Sequence, residues 1–106
     1  MIITTTNTID GVEIKGYKGI VFGEVVAGVD FIKDFKASFT NILGGRSKSY
    51  ENELIQGREE ALEELKQRAT ALGAGAVVGV KVDYETIGTG GNNMMMIIAS
   101  GTAVEI

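Results

Sequence analysis

The chain has 106 residues, ten basic and fourteen acidic side chains, a formal charge of −4, and neither cysteine nor histidine. One domain, residues 1–106, fits that length, and disulfides, thiol nucleophiles, Cys/His zinc sites and histidine-based triads are all excluded. The acidic balance, with no long basic run, argues against nucleic acid or an anionic membrane as the partner.

The chain opens MIITTTNTIDG, without the basic start and continuous apolar segment of a secretory signal. The apolar run MMMIIA near the other end is too short to span a bilayer, so cytoplasmic residence is the expectation. Residues 4–7, polar and β-branched, read as a short strand before a turn at Asp10-Gly11. Residues 17–26, YKGIVFGEVV, suit a longer strand, in which Gly19 and Gly23 mark a bulge or a close backbone approach.

A first helix is expected from about Asp30, because Val29 or Phe31, Phe35, Phe39 and Ile42/Leu43 recur at intervals near three or four. This aromatic stripe suits core packing, and Gly44-Gly45 ends it. The second helix, residues 50–72, has an apolar stripe of Leu54, Ala61, Leu65, Ala69 and Leu72, flanked by Ile55 and Leu62. Ser47 or Ser49 can cap its start, Glu64 and Arg68 form an i,i+4 pair, and Gly73 stops it. Gly57 lies towards the packed side, where a missing side chain implies close contact with a neighbouring element. Arg58 stands at the same boundary, placed to lay its stem over apolar surface or to meet a carboxylate.

After Gly73 the period changes to two. Ala76, Val78, Val80, Val82 and Tyr84 fall on one strand face, and Val77, Gly79, Lys81, Asp83 and Glu85 on the other. Residues 86–93 read as a glycine-rich connection. In the last strand, Met94, Met96 and Ile98 alternate with Met95, Ile97 and Ala99, so both faces are apolar. One helical layer covers one face, and a second copy of the chain is the simplest cover for the other. The expected fold is α+β: a two-layer sandwich of a mainly antiparallel sheet with helices on one face, assembled as a homo-oligomer.

The segment GGRSKSYE, the helix after it, LGAGAVVGVKVDYE and the closing GTAV resemble the YbjQ-like family over nearly the whole chain. The resemblance implies a dodecin-like subunit, a homopentameric ring and a heavy-metal-binding label. The family's recurring residues fall here on Gly44, Gly45, Arg46, Ser47, Tyr50, Glu51, Arg58, Gly73, Asp83, Tyr84, Glu85 and Gly101. Soft metals prefer thiolate and imidazole ligands, which this chain lacks. Its three consecutive methionines cannot all face one ion from a strand.

Two polar clusters could carry chemistry. Arg46, Ser47, Lys48, Ser49 and Tyr50 stand at a helix start, where free N–H groups, hydroxyls and cations suit an anion or small ligand. The alternative is capping, with Arg46 paired to a neighbour. Asp83 and Glu85 share a strand face, suiting a divalent cation or a carboxylate hydrolase, or simply solvation and pairing with Lys81. Without a nucleophile–base pair, a non-enzymatic module binding a small ligand or ion at subunit interfaces is the expectation. A hydrolase and a purely structural ring are the alternatives. No motif specifies a cofactor.

Overall fold

The computed structural model describes residues 1–27, 48–89 and 92–106. The elements are β1 (Ile2–Ile3), β2 (Gly16–Ala27), α1 (Lys48–Ala71), β3 (Ala76–Thr89) and β4 (Asn92–Glu105). The sheet order is β1-β3-β4-β2; β1 pairs with β3 in parallel and the other two pairings are antiparallel. The fold is therefore α+β, a mixed sheet with a single helical layer among the described residues. The expected first helix, with Phe31, Phe35 and Phe39, lies outside them.

α1 forms where the three/four-residue stripe is strongest. Ala61, Leu65 and Ala69 are fully buried in one core with Val21, Val77, Val80, Ile97, Ala99 and Ala103. Two glycines bring helix and sheet together. Gly23 of β2 lies against the backbone of Ala61 and Leu65, and Gly57 of α1 lies over the Ile97 side chain. Both close approaches that the sequence suggested occur, and the expected bulge sits at Gly19, where the β2–β4 register shifts and φ is +124°. The helix ends in a Schellman arrangement: Ala74 N–H donates to Ala69 O (3.1 Å), Gly73 N–H donates to Thr70 O (2.9 Å), and Gly73 takes φ +79°. Leu72 thus falls past the last helical residue and is exposed, not part of the buried stripe.

The strict alternation expected of β3 fails at one residue. Val78 pairs with Thr102 and Lys81 with Ser100, so Gly79 and Val80 together oppose Gly101. Gly79 has φ +61°, the left-handed first residue of a G1 bulge. Before the bulge Val77 faces the helix; after it Val80 and Val82 do, while Ala76 and Val78 pack with Val104 on the opposite face. The free amides of the bulge are taken up by the N-terminal segment: Gly79 N–H donates to Thr6 O (2.8 Å) and Val80 N–H to Thr4 O (3.0 Å). An added methyl at Gly79 would meet only Asn7 Oδ1, at 3.5 Å. Gly79→Ala should therefore cost about 1–2 kcal/mol through backbone conformation alone; an unchanged urea midpoint would contradict this.

The N-terminal strand is shifted from the expected residues 4–7 to Ile2–Ile3, because Thr4 and Thr6 spend their backbone groups on the bulge and not on a regular ladder. Asp10-Gly11 is the expected turn, closed by Val12 N–H to Ile9 O (3.1 Å) with Gly11 at φ +74°. Ile9 and Ile14 then pack on Ala76, Val78 and Val104, covering one end of the sheet face that α1 leaves bare. The glycine-rich connection is also shorter than expected: β3 runs to Thr89 and β4 begins at Asn92.

Candidate functional site

The helix start singled out in the sequence begins α1: Lys48, Ser49 and Tyr50 are its first residues, while Arg46 and Ser47 lie outside the described residues. Gly57 sits over Ile97, whereas Ala61 and Leu65 sit over Gly23, which pairs with Ala99. The N-terminus of the helix therefore points towards the end of the sheet where β3 ends and β4 begins. Its first turn lies about 14 Å along the axis beyond Gly57.

Asp83 and Glu85 lie towards that same end of the molecule but on the other side of the sheet. Val82 pairs with Ala99 and faces the helix, so Asp83, opposite Ile98, and Glu85, opposite Met96, point away from it. The sheet thus lies between Asp83 and Glu85 and the start of α1 within one subunit. Asp83 Oδ1 lies 3.3 Å from Lys81 Nζ, an exposed i,i+2 ion pair of the ordinary structural kind. Arg58 is exposed.

Sequence reasoning missed where Arg68 goes. Its pairing with Glu64 follows from spacing, but the guanidinium also reaches the sheet, donating from Nη1 to Phe22 O (2.8 Å) and to Glu24 Oε1 (3.0 Å). The hydrogen bond to Glu24 raises the Arg68 pKa above its ordinary value; desolvation opposes this, and the Glu64 and Glu24 charges add to the rise. Spacing along the chain carries no signal for a contact between α1 and β2.

A second feature is an open groove of about 240 Å³ lined by Ile2, Thr4, Thr6, Thr8, Ile9 and Asp10. Thr6 Oγ1 donates to the Thr8 carbonyl (2.6 Å), so the hydroxyl contact between Thr4 and Thr6 (2.8 Å) has Thr4 as donor. Thr6 N–H closes the set on Thr4 Oγ1 (3.2 Å). These bonds fold the segment back on itself and explain the groove without a ligand.

The methionines do not converge. Met95 shares the helix-facing parity of Ile97, while Met94 and Met96 share that of Ile98 on the opposite face. Among the described residues no group of three or more His, Cys, Asp or Glu could hold a metal ion. No helix among them is long and apolar enough to cross a membrane.

A family model described as "Putative heavy-metal-binding" matches residues 1–106. The chain belongs to the YbjQ-like family. A UPF0145 protein of Clostridium kluyveri is 67% identical over 106 residues, covering 100% of this chain and 99% of its own. Another from Pasteurella multocida is 58% identical, with the same coverage of both chains. The crystal structure of a protein of unknown function from Pediococcus pentosaceus, assigned to the DUF74 family, superposes with a TM-score of 0.67 at 23% identity. That match covers 100% of this chain and 97% of the other, and supports the fold alone. The donor set of this YbjQ-like chain does not fit the family's description: with neither cysteine nor histidine, it offers a soft ion only thioethers, and β4 splits its three between two faces.

Proposed function

We propose that this YbjQ-like protein, a single unit over residues 1–106, is a non-enzymatic oligomeric module that binds a small anionic ligand at the seams between subunits. The observation carrying this reading is the sheet face turned away from α1. Ile20 (70% exposed), Phe22 and Val26 of β2 stand there uncovered by any described element, beside Met96 and Ile98 of β4. Glu24 stands between Phe22 and Val26 on this face, and apolar residues clustered around a single charge in this way mark an association surface. The proposed assembly is a cytoplasmic ring, a homopentamer of dodecin-like subunits by the family resemblance. In such a ring the Arg46–Tyr50 segment of one copy can approach polar residues of the next.

Separation of the start of α1 from Asp83 and Glu85 by the sheet disfavours a hydrolase combining those carboxylates with α1 in one subunit. Native mass spectrometry of gently purified protein tests stoichiometry and retained ligand together. A species of 11 kDa only, at micromolar concentration, would remove the assembly. Arg46→Ala should lower ligand retention and leave subunit number intact. Breakage of the assembly with ligand retained in what survives makes Arg46 a structural contact instead.

A further inference from the structure

Among the described residues β2 forms one rim of the sheet and is twelve residues long, whereas β1 at the other rim has two. A long rim strand presents unpaired N–H and C=O groups, a template on which another strand can add. Phe22 O points outward, since it accepts from Arg68 and not from β4. By alternation, the backbone groups of Ile20, Glu24 and Val26 point outward as well. Three of these four residues carry large, exposed apolar side chains. The chain contains no proline, the usual breaker of such an edge, and Glu24 is the only charged residue from Ile20 to Ala27. By composition this rim invites aggregation.

Two devices counter it. The Gly19 bulge breaks the regular register near one end of the strand. In the middle of the strand, the Arg68 guanidinium takes the outward carbonyl of Phe22, held between Glu64 on its own helix and Glu24 on the rim. We propose that Arg68 closes the β2 rim against strand addition, so that copies of this chain cannot pair edge to edge there. The role is independent of the ligand reading, since it concerns the rim of the sheet and not its face. It also assigns the charge of Glu24 a purpose: with Arg68 it leaves a desolvation penalty for any incoming strand.

The test compares Glu24→Thr/Arg68→Ala, Arg68→Gln and wild type with Leu62→Ala, a control weakened at the edge of the core. Each is incubated at the temperature giving the same small fraction unfolded. The double variant should lose soluble protein and gain thioflavin fluorescence, Arg68→Gln should do so more slowly, and the control should stay soluble. If the double variant does not fold, Arg68→Gln alone decides between the outcomes. A rim variant that stays as soluble as wild type, or a control that aggregates equally fast, overturns the proposal.

Discussion

Among the described glycines, Gly23→Ala is expected to destabilise this protein most. A Cβ at Gly23 would stand 1.8 Å from the Ala61 carbonyl oxygen and 2.8 Å from both Ala61 C and Leu65 N. All three atoms are helix backbone, so relief requires α1 to lift away from β2. Overpacking against side chains costs about 1–3 kcal/mol, and here the loss should lie at or above about 3 kcal/mol because no rotamer can yield. Gly57→Ala is the informative contrast. Its Cβ would meet Ile97 Cδ1 at 2.5 Å, the movable end of a side chain. Alanine there also recovers up to about 1 kcal/mol of helix propensity. Urea unfolding should rank Gly23→Ala far below Gly57→Ala; equal midpoints would show that α1 does not seat on β2 at Gly23.

Leu65→Ala should cost about 2–5 kcal/mol, since the site empties a large side chain in a core that cannot wholly collapse. Leu65 has no solvent exposure and packs where α1, β2 and β4 converge. Its neighbours Ala61 and Ala69 are too small to fill the space. Calorimetry should show a marked fall in Tm, with Leu62→Ala, at the margin of the same cluster, falling less. A Leu65→Ala midpoint within about 0.5 kcal/mol of wild type, the range of surface substitutions, would place α1 elsewhere.

Much of this was legible because each signal was local. The 3.6 period located α1, the left-handed requirement placed Gly73 as its stop, and Gly23 and Gly57 marked contacts before any partner was known. What escaped depended on residues far apart in the chain. The bulge at Gly79 turns Ala76 and Val78 away from the face that Val80 and Val82 share, and counting by twos cannot register one extra residue. The parallel β1–β3 pairing left no short-range mark, since turn chemistry specifies only neighbouring strands. Likewise, Arg68 looked like half of a helical ion pair until the sheet brought Glu24 beside it. The helix-start cluster was visible from residue types, yet the separation of the start of α1 from Asp83 and Glu85 became evident only with the strand register.

The parallel pairing of Ile2 with Ala76 and Ile3 with Val77 sets an order of events during synthesis. The ribosome releases this segment long before β3 exists to receive it, and such distant contacts form slowly. An apolar strand left waiting would be prone to misassembly. The run Thr4-Thr5-Thr6-Asn7-Thr8 instead keeps the segment hydrated, and its hydroxyls can bond locally while the hairpin forms. Threonine here serves the nascent chain as well as the finished sheet: sufficiently water-compatible to remain idle, sufficiently β-prone to settle once the Gly79 bulge offers its amides.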